Sequence, residues 1–482
     1  MHEPPPPRAG IGHIKTSLFI AILLAAGRLS VTFHMAGTST AQVAFSPNDL
    51  IILALYGLLA VYLNKKRYVP SPFAHRILLA LASGVSLLMI PIIHHLAKGS
   101  SPFEFVGYLR NCYASVIAFF VVDFWASARP TPEGLTRVER NVENGLIIFG
   151  FVIFITMMAA IIAVLRLPYA TIEKPFTFGT DGICLILLIM PLYWQRIYTE
   201  KNKIISFLLL FQIVNFFLAI LIISSRLAFV LYFITNSVML AIHFKKTPRW
   251  LYRIPLFMLS LVILSTGYFF AVRNIDCKHG MIKAVQTVIP PKMLSSYLFF
   301  VKKHIPGLNS IVNSRNSLHY IINSGVKSSQ KSDNYRSRAW QEGLRLLREY
   351  PWFGAGQRVI TFTVRHEHNG EITTTVAHNA PHNFILETGC LLGLWGIAIH
   401  MAFILIFTIP LIFSPFMNLR RKTCLFMLLS TFYGWNFFQP TLTGIFTTNE
   451  LMFFFIGLAH LTIMTGRLKS KTAPADRPWP VS

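Results

Sequence analysis

Apolar residues in this chain come in long runs separated by short polar segments, most of them basic. Twelve runs can be read, near residues 12–28, 48–64, 76–96, 104–126, 145–165, 180–197, 204–223, 226–244, 252–272, 387–413, 422–439 and 449–466. Several approach the roughly 20 residues that an α-helix needs to cross a hydrocarbon layer. The pattern predicts an all-α polytopic membrane protein of about 12 transmembrane helices. The first run contains Ile14–Ala26, which has the length of a signal-peptide core, but no small-residue cleavage site follows, so it reads as a retained span.

Composition points the same way. Hydrophobic residues make up 54% of the 482 and charged residues 13%, about half the charged share of a soluble domain. Lys and Arg outnumber Asp and Glu by 44 to 19. In a membrane protein such an excess comes from cytoplasmic loops and from sites built for anionic substrates. The segments Lys65–Arg67, Arg129–Arg140, Arg196–Lys203, Lys245–Arg253, Arg420–Lys422 and Arg467–Lys471 all fall on one side of the twelve runs. With the N-terminus inside, that side is the cytoplasm. The expected organisation is a disordered, proline-rich cytoplasmic N-terminus (1–11), spans one to nine (12–272), a large periplasmic loop (273–386), spans ten to twelve (387–466) and a cytoplasmic tail (467–482).

The loop is the exception to the charge pattern. Residues 273–381 carry fifteen Lys or Arg against six Asp or Glu, on the outer side. Long loops cross regardless of charge, so the topology stands, and the excess fits either anionic headgroups or a polyanionic substrate. Within the loop, Asp333–Tyr350 reads as an amphipathic helix with Asp333 as its N-cap. Arg338, Glu342, Arg345 and Glu349 form a charged stripe, and Trp340, Leu344 and Leu347 form an apolar one. Extending the apolar stripe back by four residues reaches Arg336, which points a cation toward the membrane side. Pro351 ends the helix, and Gly354 and Gly356 permit a tight reversal.

Three positions are candidates for chemistry. Arg226 interrupts some forty apolar residues at the outer mouth of span eight. It is either an interfacial arginine that snorkels or a ligand for an anion. Asn379 as a cap and Pro381 in the first turn would place His382 at the start of span ten. There the helix dipole disfavours imidazolium, and a neutral imidazole can accept a proton from an attacking hydroxyl. A capping or headgroup-contacting histidine is the plainer alternative. His378, one turn further out, is a helper or simply solvated, and Glu387 either orients a partner or pairs with a loop arginine. The five cysteines, Cys112, Cys184, Cys277, Cys390 and Cys424, show neither disulfide nor zinc spacing. No Asp-x-Asp, phosphate-cradling Gly-x-x-x-x-Gly-Lys or HExxH motif occurs. The expectation is a metal-free reaction in which arginines hold a diphosphate, with no cofactor and no nucleic acid.

Taken together, Ser225-Arg226, Arg336-Ser337-Arg338-Ala339-Trp340 with Pro351, Gly354 and Gly356, and His382-Asn383 with Glu387, Gly389 and Gly393 resemble the O-antigen ligase and polymerase superfamily of bacterial inner-membrane glycosyltransferases. The resemblance covers roughly residues 204–413. It departs from the family pattern at Glu173–Asp181, where Lys174 stands as the available cation. The resemblance implies a C-type glycosyltransferase-like fold and transfer of a glycan from undecaprenyl diphosphate on the periplasmic face. It makes His382 the base, Arg226 and Arg336 the diphosphate ligands, and Arg338, His378, Asn383, Glu387 and Lys174 supporting residues. In a ligase the acceptor is a sugar hydroxyl of lipid A-core, and in a polymerase it is another lipid-linked repeat. The ligase arrangement is the closer match. A protein O-oligosaccharyltransferase would share these motifs, and a lipid-linked oligosaccharide flippase is the rival from another class.

Overall fold

The computed structural model describes residues 11–26, 31–34, 42–45, 47–166, 180–222, 225–244, 250–271, scattered positions between 278 and 300, and 335–368, 371–381, 383–438 and 446–472. Each of the twelve apolar runs coincides with helix. In order these are α1 (Ile11–Ala26), α2 (Pro47–Asn64), α3 (Pro72–Ala97), α4 (Pro102–Tyr113), α5 (Ile117–Ser127), α6 (Pro132–Arg166), α7 (Thr180–Thr199), α8 (Lys203–Ile222), α9 (Arg226–Phe244) and α10 (Trp250–Ala271). After the loop come α11 (Phe384–Ile412), α12 (Leu419–Phe438) and α13 (Phe446–Thr472). The run at 104–126 supplies both α4 and α5, joined by a 3₁₀ turn at Ala114–Val116. Among the described residues, six stretches are long and apolar enough to cross a membrane: Pro72–Ala97, Glu104–Ser127, Pro132–Ala159, Lys203–Leu221, Phe384–Ile412 and Asn449–Ser470. Shorter apolar helices accompany them, and the chain is a polytopic membrane protein.

Local chemistry sets several of the boundaries. Helices α2, α3, α4 and α6 begin on a proline, whose fixed φ suits the first turn and whose missing N–H is not needed there. Ser71 caps α3 by accepting from the Ala74 amide at 3.1 Å. The basic stretch Arg129–Arg140, expected as a loop, is mostly helix, because α6 starts at Pro132.

Two antiparallel hairpins supplement the helices: β1 (Val31–His34) with β2 (Gln42–Phe45), and β3 (Ile360–His368) with β4 (Glu371–Asn379). The apolar-run pattern predicted neither. In the second, two stretches rich in Thr, Val and Ile flank an Asn-Gly pair at 369–370. β-branched side chains favour a pleated surface, and Asn-Gly favours the two-residue hairpin turn.

Helix α13 is the hub, packing against α5, α6, α7, α4 and both neighbours α11 and α12. Polar contacts tie three of the basic segments together, those at 129–140, 196–203 and 420–422. Arg421 meets Glu139, and both meet Thr462 (2.7 and 2.9 Å). Arg196 lies 3.0 Å from Glu200, and the Arg420 guanidinium sits 3.7 Å over the Tyr198 ring. The buried Asp123 accepts from the Tyr68 hydroxyl (2.6 Å) and the Ser71 amide (3.1 Å) and lies 3.3 Å from His460 Nε2. At the far end of α3, His95 in its last turn meets the turn at 351–356, which bonds to α11, and about two turns earlier the Leu87 carbonyl accepts from the Trp395 indole.

Candidate functional site

The site is built around the start of α11. Asn383 is the N-cap, in extended conformation (φ −148°, ψ 120°), and its side-chain oxygen accepts from the Ile385 and Leu386 amides at 2.9 and 3.1 Å. The expected cap at Asn379, with Pro381 in the first turn, is therefore corrected. Asn379 pairs with Ile360 at the end of β4, and a residue held in a strand ladder is not available to cap. His378 likewise belongs to β4, opposite Thr361, rather than one helical turn outside the span. His382 lies outside the described residues, as does Lys174. Because α11 starts at Phe384, the dipole argument for a neutral imidazole, which needed a first-turn position, does not follow.

Glu387 occupies the first turn of α11, where a carboxylate suits the positive end of the dipole. It is completely buried and faces Arg358 (Nε to Oε2 3.5 Å), which is about a quarter exposed, at 29%. Pairing with a loop arginine is one of the two roles open to Glu387, and the Arg358 contact supplies such a pair. Arg358 itself was not singled out from the sequence. It sits two residues before β3 with no motif around it.

Six residues further on, α11 is broken. Gly393 has φ 68° and ψ −164°, a conformation open in practice only to glycine. The break frees backbone groups, and the turn after the loop helix takes them. The Leu394 amide donates to the Pro351 carbonyl (2.7 Å), Trp395 to Trp352 (3.2 Å), and Ala355 donates to Cys390 (2.7 Å). A Cβ on Gly354 would lie 2.7 Å from the Gly389 oxygen and the Gly393 nitrogen. The Pro-x-x-Gly-x-Gly segment thus docks backbone to backbone onto a broken helix.

The loop helix, residues 335–349, carries the predicted arginines. Ala339, Gly343 and Leu346 are buried. Arg336, Trp340 and Leu347 flank them half-buried, and Arg338 and Arg345 are exposed. Arg345 bridges Glu342 and Glu349 at 2.7 and 2.6 Å, as the charged stripe predicted. The apolar face is rotated from the expected one, leaving Leu344 43% exposed. Small residues account for the shift. Gly343 lets Pro381 approach, with a Cβ there falling 3.4 Å from its Cγ, and the Cys390 thiol reaches the Gly343 carbonyl at 3.6 Å. Ala339 and Leu346 pack with Ile360, Phe362 and Cys390, while the Tyr335 ring meets Phe362 edge-on at 5.0 Å. Arg336 therefore lies at the margin of the buried face and Arg338 on the solvated one.

Arg226 belongs to a second group. It is the first residue of α9, half-buried, directly after Ser225, whose hydroxyl caps the helix at the Ala228 amide (3.3 Å). A cation at the positive end of a helix dipole is disfavoured on its own account, whereas an anion beside it is favoured by both. One turn below, Phe229 and Val230 line an apolar cavity of about 400 Å³ between α8, α9, α10 and residues 281–298. Its few polar groups are largely satisfied within the wall, with Thr266 and Tyr297 hydrogen-bonded at 2.8 Å. Phe269, on the same wall, lies under the Lys278 ammonium at 5.6 Å. Lys278 is buried at 3% exposure, and burial holds its pKa below the usual lysine value. Nothing in the spacing of the loop's basic residues marked it. Among the described residues no group of three His, Cys, Asp or Glu side chains is placed to hold a metal.

The family model described as O-antigen ligase matches residues 207–401. That stretch is about two-fifths of the chain, running from α8 through the loop to the middle of α11. It coincides with the 204–413 region in which the motifs carry the resemblance. No curated protein matches the chain.

Proposed function

We propose that this protein is an O-antigen ligase that transfers a glycan from undecaprenyl diphosphate to a sugar hydroxyl of lipid A-core, on the periplasmic face of the bacterial inner membrane. The observation that carries the reading is the 400 Å³ apolar cavity, whose wall residue Phe269 lies under the Lys278 ammonium and whose wall residue Phe229 follows Arg226 by one helical turn. An apolar pocket beside cations suits an amphiphile with an anionic head, and a polyprenyl diphosphate is one. The family match over the same helices supports it.

In the proposed reaction the imidazole of His382 takes the proton of the acceptor hydroxyl. The oxygen bonds to the anomeric carbon as the bond from that carbon to the diphosphate oxygen breaks. The electron pair leaves on undecaprenyl diphosphate, whose charge Arg226 and Arg336 neutralise. Attack opposite the leaving group inverts the anomeric configuration, and no metal is needed. The Arg358–Glu387 pair and the Asn383 cap support the start of α11 beside His382.

The test is purified protein with lipid-linked donor and lipid A-core acceptor in chelator. Inverted product, a loss of about 10²–10⁴-fold in His382→Ala, impairment in Arg336→Lys, which keeps the charge but not the planar fork, and near-normal transfer in Arg338→Ala are expected. Chelator-sensitive transfer, a retained configuration or full activity of His382→Ala would refute the mechanism. In cells, deletion should abolish all lipopolysaccharide ladders while lipid-linked polymer accumulates. A single capped repeat would identify a polymerase instead, and movement of donor without cleavage of the diphosphate bond a transporter.

A further inference from the structure

The end of α3 lies outside the matched region and carries no motif, yet it grips the turn that closes the loop helix. His95, buried at 4% exposure, stacks on Phe105 with ring centroids 5.9 Å apart. Its Nε2 lies 2.7 Å from the Phe353 carbonyl oxygen. A carbonyl only accepts, so Nε2 carries the proton, as it does in both the Nε2–H tautomer and imidazolium. The other side of the ring has no slack, since a Cβ on Gly356 would fall 2.5 Å from Nδ1. His94 adds a ring contact to Phe353 at 5.3 Å. The turn is thus held by main-chain bonds to α11 on one side and by one side-chain donor from α3 on the other.

We propose that His95 is a positioning residue for the donor diphosphate. Its Nε2–H fixes the Phe353 carbonyl, hence the turn at 351–356, hence the axis of the loop helix that carries Arg336. This rests on the reading of Arg336 as a diphosphate ligand. Leverage gives the effect its size. Arg336 lies fourteen residues before Tyr350, about 20 Å along a helix. A tilt of about 10° at the clamped end moves the far end by about 3–4 Å, beyond hydrogen-bond tolerance.

The experiment uses the full-length protein with lipid-linked donor, comparing His95→Leu, His95→Gln and His95→Asn. The Gln amide nitrogen reaches the Nε2 position, Asn is one bond too short, and Leu fills space without donating. Losing the clamp should raise the half-saturating donor concentration roughly five- to thirty-fold in the Leu and Asn variants. It should leave turnover at saturation nearly unchanged and speed amide exchange across 335–356. Gln should restore both readouts with an unaltered pH profile. Equal impairment in Gln and Leu would overturn the proposal, as would normal donor saturation in both Leu and Asn while Arg336→Lys raises it. If Arg336→Lys also leaves saturation unchanged, the role given to Arg336 fails and the proposal with it. Exchange across 335–356 then tells that failure apart from failure of the His95 clamp. Should the Leu variant not fold, the Asn–Gln contrast decides alone.

Discussion

Replacing Gly393 with alanine attacks the junction between α11 and the turn directly. At φ 68° and ψ −164° an L-residue incurs strain of about 1–3 kcal/mol. The new Cβ would sit 2.3 Å from the Trp352 carbonyl oxygen. That obstacle is backbone, which cannot swing aside as a side-chain end can, so the turn must move. Moving it breaks the Leu394-to-Pro351 and Trp395-to-Trp352 bonds, each contributing about 0.5–1.5 kcal/mol net. The expected loss is about 2–6 kcal/mol, against a typical total of about 5–15. Among the described residues four free cysteines are buried, Cys390 at the junction among them, so thermal unfolding in detergent can be followed by a thiol-reactive fluorophore, alongside amide exchange at Leu394 and Trp395. Gly267 in α10 is the control. Nothing lies within 4 Å of a Cβ there, and alanine should be neutral or stabilising by up to about 1 kcal/mol. A Gly393→Ala protein that melts with wild type and keeps both amides protected would refute the strained junction.

Pro91 has no N–H for the Leu87 carbonyl, and the Trp395 indole supplies the donor at 3.0 Å. Trp395→Phe should therefore destabilise less in a Pro91→Ala background, with a coupling of about 1 kcal/mol in a thermal-shift cycle; strict additivity would count against the assignment. Glu387→Gln leaves Arg358 without its carboxylate, and because Arg358 is partly hydrated the cost should fall below the 3–5 kcal/mol of a fully buried pair, at about 1–3. Unchanged melting would remove Glu387 from the site's framework. For Lys278 the folded pKa is depressed, so its charge is lost as pH rises through a value below the usual one. Donor affinity should weaken on the alkaline side in wild type, be flat there in Lys278→Arg, and be low throughout in Lys278→Met; an alkaline limb in the Arg variant would assign it to another group.

The helices were legible because a bilayer admits little else: long apolar runs must close their backbone bonds locally, and each of the twelve runs is helical. The charged stripe of the loop helix was legible for a similar reason, since i,i+3 and i,i+4 pairs are local. What the sequence misassigned depends on competition between segments. Asn379 and Asn383 are equally good caps in isolation, and only the ladder to Ile360 decides between them. The hairpin did carry a readable signal in its Asn-Gly pair between β-branched stretches, overlooked beside the stronger helical pattern. Arg358, Lys278 and His95 carried none. Their importance comes from what lies across from them, Glu387, Phe269 and the Phe353 carbonyl, and such pairings over long sequence separations leave no local trace.

The joint between the turn and α11 is made of three main-chain bonds, so it stores its information in conformation and not in side-chain identity. Trp352, 69% exposed, and Leu394, 45% exposed, stand at the joint without holding it. A randomised library should accept nearly any residue at those two positions while returning glycine at Gly354 and Gly393. The surface over the joint is thereby left free to be recoded without disturbing the frame beneath.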